Sequence, residues 1–287
     1  MVAETTEGST SWDVASGDEL VSRCHVQSRL GGGNAYEAYA CFDDRLLASV
    51  VVKIVRPNLV DDPPTLRMLA REARVLGALN HPVIVRGLHA RVDGPRPYLA
   101  MERVPGPRLS TLLRRFGPLS PDQVLPLGMQ IASALHYLHE NAFVHLDVKP
   151  SNIIMDTVPR LIDFSIARSI DQAAELEHVV GTDRYLSPEQ AQPQGPNKVG
   201  PASDIWGLGA TLFEAITGGR LVATNDQGPE RTHAIPDRVP GAPDELEAIV
   251  LRCLQFEPSA RPTPVEVFDT LDPLAARLPK PRLTHLR

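Results

Sequence analysis

The most informative stretch of the chain reads His-Leu-Asp-Val-Lys-Pro-Ser-Asn at residues 145–152, and Asp-Phe-Ser follows at residues 163–165. Together the two segments supply an aspartate, a lysine, an asparagine and a second aspartate. Phosphoryl transfer uses this set of groups, because one carboxylate orients the attacking hydroxyl, an ammonium neutralises the γ-phosphate and two oxygen ligands hold magnesium. The stretch therefore predicts a site that handles phosphate groups.

Composition narrows the class of protein around this stretch. The chain has 287 residues, and its 29 basic residues against 35 acidic ones give a formal net charge of −6. A mildly acidic chain lacks the basic footprint that nucleic acid would require, so no nucleic-acid partner is predicted. The 43% apolar and 22% charged residues exclude wholesale disorder, and the length fits two domains or lobes.

Targeting and redox features predict a cytoplasmic location. No apolar run reaches about 18 residues, which predicts no membrane span, and the acidic, polar first residues do not resemble a signal peptide. The cysteines, Cys24, Cys41 and Cys253, are odd in number and lack C-x-x-C spacing. This pattern argues against disulfides or a zinc site and fits a reducing compartment.

Lysine is rare in this chain. Among the 29 basic residues only Lys53, Lys149, Lys198 and Lys280 are lysine, and the rest are arginine. An ammonium is a compact charge, whereas a guanidinium is a broad planar fork. A lysine kept against this arginine background therefore suggests a chemical need for the ammonium.

The N-terminal part of the chain is rich in predicted strands. Residues 1–18 are polar and acidic and are predicted to form a flexible tail. Pro63-Pro64 before regularly spaced Leu and Ala residues predicts a helix that ends at Pro82. β-branched and alternating runs predict strands at residues 20–30, 36–43, 46–55, 84–92 and 97–104.

From residue 105 the pattern becomes helical. Ser120-Pro-Asp-Gln123 is a capping box that predicts the start of a long helix. Pro126 lies beyond the first turn, so we expect it to remove a hydrogen bond and bend this helix. Further helices are predicted at 203–217, 244–256 and 264–277. Strands followed by helices indicate an α+β fold with two lobes.

Two further motifs lie in the strand-rich part. Gly31 and Gly33 would let the backbone approach a phosphate closely, although a glycine hairpin without a ligand is an open alternative. Lys53 ends an apolar strand, where an unpaired ammonium would be costly to bury. Glu72, near the middle of the predicted helix, is its predicted partner. A purely structural ion pair is the alternative here.

These ordered motifs together resemble the Ser/Thr protein kinases, most closely the bacterial Hanks-type family, over about residues 18 to 275. Lys149-Pro150 after the matched catalytic aspartate has the Ser/Thr-kinase form rather than the tyrosine-kinase form. The resemblance implies the bilobal protein-kinase fold, with a small antiparallel β-sheet N-lobe carrying one main helix and a larger, mainly helical C-lobe. The expected segments are a flexible N-terminal tail at 1–18, the N-lobe at 19–104, the C-lobe at 105–277 and a basic C-terminal tail at 278–287.

The resemblance carries over residue by residue. Asp147 matches the catalytic base and Lys149 the lysine that contacts the γ-phosphate. Lys53 matches the lysine that contacts the α- and β-phosphates, and Glu72 matches its helix partner. The two matched metal ligands are Asn152 and Asp163. The other matches belong to the expected nucleotide site: Leu30, Gly31 and Gly33 in the phosphate-covering loop, Ala38 and Val51 around adenine, Met101 as gatekeeper, and Glu102 and Val104 at the hinge.

The resemblance also implies ligands and partners. It implies ATP and Mg²⁺ (or Mn²⁺) as cofactors and protein substrates as partners, and it implies no oligomeric state. The segment Gly181–Glu189 resembles the end of the activation region, where Thr182 would bond toward the catalytic aspartate and lysine. Glu189 and Arg261 match the buried salt bridge of the family, and residues 204–209 match its central helix.

Three substitutions depart from the family pattern. Tyr36 stands at the third loop glycine, where we expect a tyrosine to cover the phosphates or impede nucleotide access. Leu146 replaces the arginine that in the family pairs with a phosphorylated activation loop, which makes the chain a non-RD variant. Ser165 replaces the glycine after Asp-Phe, so we expect a stiffer segment that less readily turns Asp163 away.

The activation loop itself supports one prediction. From Ser165 to Val180 it contains Ser169 but no threonine, and it carries Glu175 and Glu177. Because both the phosphate-reading arginine and a loop threonine are missing, we predict activity that needs no loop phosphorylation. Residues 224–236 stand where the family usually has a docking helix, and they lack an apolar stripe, so a shortened or absent helix is expected.

Three functions remain open at this point. The first is an active Ser/Thr protein kinase. The second is a pseudokinase that acts as a nucleotide-binding scaffold or regulator, which the three departures favour. The third is a small-molecule kinase, which would not be expected to carry the motifs at 181–189 and 204–209.

Overall fold

The computed structural model describes residues 10–221 and 236–278. It contains two compact units, of which the first ends at Pro105 and the second begins at Gly106. The sequence had suggested this boundary between residues 104 and 105. The outer part of the predicted N-terminal tail, nearly all of the predicted C-terminal tail and nearly all of the segment 224–236 lie outside the described residues.

The first unit is a six-stranded antiparallel sheet with one long helix among its described residues. The strands follow the order β1-β2-β3-β4-β6-β5. The predicted strand at 20–30 is two strands, because Arg23 has a φ of 63° and turns the chain between them. The elements are β1 (Glu19–Val21), β2 (Cys24–Gly32), β3 (Tyr36–Asp43), β4 (Ala48–Val55), α1 (Pro63–Ala78), β5 (Gly87–Arg91) and β6 (Tyr98–Glu102).

Strand alternation gives the sheet two different faces. On β4, Val50, Val52 and Ile54 are at most 1% exposed and pack into the apolar core. Val51 and Lys53 point to the other face and are only partly buried. Helix α1 begins where the carboxylate of Asp62 accepts the amide of Thr65, as expected for a helix that opens with prolines.

Part of the predicted N-terminal tail lies against this sheet. The Ser11 hydroxyl donates to the Glu37 carboxylate at 2.8 Å, and the Trp12 indole N–H donates to the carbonyl of Val55 at 2.8 Å. The Arg96 guanidinium covers the Trp12 ring at 4.8 Å. Flexibility therefore stays a prediction for residues 1–9, which lie outside the described part of the chain.

A buried carboxylate joins strands that are not neighbours in the sheet. Asp43, at the end of β3 and fully buried, accepts from the His89 imidazole of β5 at 2.7 Å and contacts the Cys24 thiol at 3.5 Å. Its other oxygen accepts the backbone amides of Arg45 and Leu46. The sheet must therefore curl until its β5 edge reaches β3. Burial alone would raise the pKa of Asp43, but these donors outweigh it and lower the pKa to about 2.

The second unit is mainly helical. The long helix α3 packs against α6 and α8, and its Ile131, Leu135 and Leu138 are fully buried. Gly128 permits this approach, because a Cβ there would come within 2.7 Å of Leu271. The helices are α2 (Leu109–Phe116), α3 (Pro121–Glu140), α4 (Ile170–Ala174), α5 (Pro188–Ala191), α6 (Pro201–Thr217), α7 (Asp244–Cys253) and α8 (Pro264–Ala276).

Short strand pairs position the loops of this unit. The pairs are β7 (Phe143–Val144) with β10 (Arg168–Ser169), and β8 (Ile153–Ile154) with β9 (Arg160–Leu161). The predicted capping box at Ser120 is present, and α3 runs without a break through Pro126. Among the described residues no helix has the length and apolarity needed to cross a membrane.

Substitution of Asp43 tests how much its buried charge contributes to the stability of the protein. The lowering of the Asp43 pKa from its ordinary value of 3.8 to about 2 corresponds to about 2 kcal/mol of stability. Because the donors favour the ionised form, this contribution is complete above about pH 4 and is lost as the pH falls through about 2. We expect Asp43→Asn to lower the free energy of unfolding by about 2 kcal/mol at neutral pH, measured by urea denaturation.

A matched control is available in the adjacent residue. Asp44 is about half exposed and pairs with the exposed His25, so Asp44→Asn should change stability little. The difference between wild type and Asp43→Asn should shrink below about pH 4. A difference that stays constant below that pH would contradict the assignment of this energy to the Asp43 charge.

Candidate active site

In the first unit, the residues matched to adenine and phosphate binding share one face of the sheet. Ala38 is paired with Lys53, and Val51 is paired with Met101. Paired residues and alternate residues along a strand point to the same side, so these four side chains lie on the face opposite the apolar core. Ala38, Val51 and Lys53 are only partly buried there. The sheet therefore presents a small apolar surface with one ammonium beside it.

Lys53 and Glu72 form the predicted ion pair. The Lys53 ammonium lies 2.6 Å from a Glu72 carboxylate oxygen, and the two side chains are 15% and 1% exposed. Glu72 occupies the face of α1 that also buries Leu69 and Leu76, so helix packing fixes the carboxylate. The buried Glu72 carboxylate therefore fixes the position of the Lys53 ammonium.

The glycine-rich turn lies between β2 and β3. Gly31 has a φ of 149°. The Gly33 amide donates to the carbonyl of Tyr36 at 3.0 Å, and Leu30 is half exposed. Sequence reasoning had named Gly31 and Gly33 and passed over Gly32. A Cβ at Gly32 would come within 2.7 Å of the Tyr36 carbonyl, so the middle glycine is the one that close packing requires.

The matched hinge residues follow at the end of β6. Met101 is buried, and Val104 is half buried. The Glu102 amide donates to the carbonyl of Arg86 at 2.9 Å, and the Glu102 carboxylate accepts the Arg86 amide at 3.0 Å. Hydrogen bonds to the backbone amide and to the side-chain carboxylate of Glu102 therefore hold the chain just before it leaves the sheet.

In the second unit, Asp147 is the centre of a polar cluster. One of its oxygens accepts from the Lys149 ammonium at 2.6 Å and from the Asn152 amide at 2.9 Å. The other accepts from the Thr182 hydroxyl at 2.7 Å. The Lys149 ammonium also donates to the Thr182 hydroxyl, which agrees with the predicted contacts of this threonine. A carboxylate, an ammonium and an alcohol therefore meet at one point.

A two-strand hairpin brings Asn152 next to Asp163. β8 pairs with β9, and the Asn152 carbonyl accepts the amide of Ile162 at 2.9 Å. Asp163 follows directly and has a φ of 65°, an unusual conformation for a residue other than glycine. Such backbone strain is common where a side chain is held for function.

Asn152 and Asp163 make a donor set that fits a magnesium or manganese ion. The Asn152 amide nitrogen is committed to the carboxylate and the carbonyl of Asp147. This fixes which end of the carboxamide is oxygen. A carboxamide oxygen and a carboxylate are the hard ligands that such ions take in proteins.

His145 contacts both the Asp147 segment and the segment around Asp163. Its Nδ1 accepts the amide of Asp147 at 3.2 Å, so the neutral ring carries its proton on Nε2, which lies 3.3 Å from the carbonyl of Ile162. Its ring also packs edge-on against the buried Phe164 at 4.7 Å. Sequence reasoning did not assign this positioning role.

Asp204 holds the loop that carries Asp147. The Asp204 carboxylate accepts the amides of His145 and Leu146 at 2.9 and 2.7 Å, and His139 contacts it at 2.9 Å. Gln190 holds the loop from another side by donating to the carbonyl of Leu146. Gln190 could have been singled out from the sequence, because Ser187 and Gln190 have the spacing of a capping box.

Leu146 occupies an apolar environment. It is 3% exposed and belongs to a cluster with Val144, Ala173 and Val199. The partly buried members are Ile166, Ile170 and Leu176. Four members, Ile166, Ile170, Ala173 and Leu176, come from the activation loop. We call this set the Leu146 cluster.

Glu189 and Arg261 form the predicted buried salt bridge. Two hydrogen bonds of 2.7 and 2.8 Å join the guanidinium to both carboxylate oxygens, and the side chains are 1% and 0% exposed. Burial alone would raise the pKa of Glu189, but Arg261 and the Ser203 hydroxyl lower it. Arg261 also packs over the Trp206 ring at 5.2 Å.

A glycine-rich turn beside a Lys–Glu pair on a curled sheet, and an Asp–Lys–Asn loop on a helical unit, together define a phosphotransferase of the protein-kinase type. A family model for the protein kinase domain matches residues 24–271. The chain belongs to the protein kinase family, and the predicted antiparallel-sheet N-lobe and helical C-lobe are confirmed.

Similar curated proteins come from actinobacteria. The serine/threonine-protein kinase PknB of Mycobacterium leprae is 34% identical over 258 residues, which cover 84% of this chain and 41% of that protein. The probable serine/threonine-protein kinase SCO3848 of Streptomyces coelicolor is 34% identical over 259 residues, which cover 84% and 38%. The chain therefore spans about two fifths of the length of these relatives.

A buried and an exposed Arg–Glu pair of the second unit show how burial changes the contribution of an ion pair to stability. We expect Arg261→Met to lower the free energy of unfolding by about 3–5 kcal/mol, because Glu189 would remain buried without its partner. Arg277 and Glu245 are both more than half exposed at 3.7 Å, so Arg277→Met should cost about 1 kcal/mol or less. Denaturant unfolding measures both changes. Equal losses would contradict the role of burial.

Proposed function

We propose that this chain is a protein serine/threonine kinase that transfers the γ-phosphate of ATP to Ser or Thr hydroxyls of protein substrates. The observation that carries the proposal is the contact at Asp147, where a carboxylate oxygen already accepts an alcohol, that of Thr182, beside the Lys149 ammonium. A substrate hydroxyl presented to the same carboxylate would make an equivalent contact. The family membership and the names of the relatives support the same activity.

The proposed reaction follows from these positions. Asp147 orients the substrate hydroxyl and accepts its proton as the hydroxyl oxygen bonds to the γ-phosphorus. The bond from that phosphorus to the bridging oxygen breaks, and ADP leaves. Lys149 lies beside the reacting groups and offsets the charge of the γ-phosphate, while Lys53 contacts the α- and β-phosphates. Catalysis here is mainly positioning and charge neutralisation.

The proposed cofactor is Mg²⁺ or Mn²⁺. Asn152 and Asp163 would hold it, and the bound ion supplies neutralisation of phosphate charge. Asn152 has a second task, because its amide also fixes the Asp147 carboxylate. The proposed compartment is the reducing cytoplasm, which the three buried cysteines without disulfides support.

Asp147→Asn tests the proposed base. With labelled ATP, Mg²⁺ and a generic protein substrate, wild type should transfer label, and the variant should lose transfer by about a thousandfold while still binding nucleotide. The exposed Asp122 provides a matched variant, Asp122→Asn, which should keep full transfer. Equal labelling by Asp147→Asn would contradict the base. Nucleotide binding without transfer by wild type would favour the pseudokinase.

We further propose that the activation loop needs no phosphate. The Leu146 cluster supports this, because apolar contacts hold the loop at the position where the family has a phosphate-reading arginine. β10 and α4 add backbone support, since Ile170 donates its amide to the carbonyl of Ala142 and Ser169 caps the helix. The predicted stiffness at Ser165 stays a prediction.

Phosphatase treatment and one substitution test this second proposal. Phosphatase-treated wild type should keep its transfer rate. Leu146→Arg should lower the rate and speed hydrogen exchange at 166–176, because a buried unpaired cation would loosen the cluster. Leu146→Met, which conserves volume, should leave both close to wild type. Loss of wild-type activity on dephosphorylation would overturn the proposal.

A further inference from the structure

Tyr36 has a position that its place in the sequence does not reveal. It begins β3 opposite Val55 and is 9% exposed, on the sheet face that carries Lys53. Its ring lies 4.7 Å below the Lys53 ammonium, and its hydroxyl donates to the carbonyl of Thr65 in the first turn of α1 at 2.9 Å. The ring is thus packed toward α1 instead of standing at an exposed loop tip.

One residue therefore reaches three parts of the proposed nucleotide site. The Tyr36 carbonyl accepts the Gly33 amide and so closes the glycine-rich turn. Its ring supports Lys53 from one side while Glu72 holds the ammonium from another at 2.6 Å. Its hydroxyl bonds to α1, the helix that carries Glu72. A shift of α1 would therefore either break the hydrogen bond from the Tyr36 hydroxyl or move Tyr36 together with the helix.

The chemistry of the ring suits this position. An aromatic face attracts a cation without accepting its proton and without neutralising its charge. Lys53 is thereby held by a second group while its charge remains available to phosphates. A glycine at position 36, the usual family residue, could supply neither the ring nor the hydroxyl bond.

We propose that Tyr36 is a positioning residue that couples the glycine-rich turn to α1 and fixes the Lys53 ammonium for contact with ATP. The inference rests on the proposed nucleotide binding. It concerns the contact of Lys53 with ATP. The alternative, that Tyr36 obstructs nucleotide access, predicts the opposite effect of a substitution. Removing an obstacle would tighten ATP binding, whereas removing a positioning residue weakens it.

Three substitutions at position 36 separate the contributions. Tyr36→Phe keeps the ring and removes the hydroxyl bond, so the dissociation constant for MgATP should rise about threefold to tenfold. Tyr36→Leu removes the cation–π contact as well, so the rise should reach about tenfold to a hundredfold. Tyr36→Gly should also weaken binding. Calorimetry measures these constants, and steady-state kinetics should show a higher KM for ATP with an unchanged KM for the protein substrate.

The neighbouring Tyr39 supplies the control. It lies on the same strand, is 2% exposed and donates its hydroxyl to Glu37 at 3.1 Å, away from Lys53. Tyr39→Phe should lower the thermal midpoint about as much as Tyr36→Phe but leave MgATP binding unchanged. In a Glu72→Gln background, the effect of Tyr36→Phe on MgATP binding should largely disappear, because the carboxylate on α1 that positions Lys53 is already gone.

The outcomes distinguish this inference from the proposed function. Wild type that binds MgATP, with unchanged or tighter binding in the Tyr36 variants, would overturn the positioning role and leave the proposed function standing. Equal weakening by Tyr39→Phe, or a full effect in the Glu72→Gln background, would reduce Tyr36 to a structural residue. Wild type without MgATP binding would overturn both.

Discussion

The Asp204 carboxylate is the constraint on which the second unit depends. It is 1% exposed, and its two oxygens accept the consecutive amides of His145 and Leu146. Leu146 has a φ of 66°, so the chain cannot continue here as regular secondary structure that would satisfy these amides. A buried carboxylate at the start of α6 replaces the missing backbone partners. It thereby fixes the direction in which the next residue, Asp147, presents its side chain.

The two proposed phosphate lysines are held in a similar way. Lys53 and Lys149 each lie 2.6 Å from a carboxylate and are each about 15% exposed. Lys149 also contacts the Thr182 hydroxyl, so its compact ammonium has two oxygen partners. Lys198, by contrast, is exposed. The rarity of lysine in the composition thus corresponds to two confined sites where a compact charge is needed.

Much of the proposed site could be predicted because its groups are chemically specific and occur in a recognisable order along the chain. The Asp147 segment and the Lys53–Glu72 pair needed only residue type and order. The Glu189–Arg261 pair was expected only from the resemblance to the kinase family. The role of Asp43 could not be predicted, because its contact with His89 depends on how far the sheet curls. Tyr36 was predicted to act on the nucleotide directly, since its sequence position does not show which way the ring turns.

The family match begins at residue 24, whereas the folded unit includes earlier residues. Glu37 is fully buried beside the glycine-rich turn, and burial alone would raise its pKa. The Trp12 amide and the Ser11 hydroxyl, together with Tyr39 and Arg29, lower that pKa instead. Sequence similarity therefore marks a shorter segment than the one that satisfies the charges of the sheet. A fragment cut at the similarity boundary would keep this buried anion and discard part of its hydrogen-bonding shell.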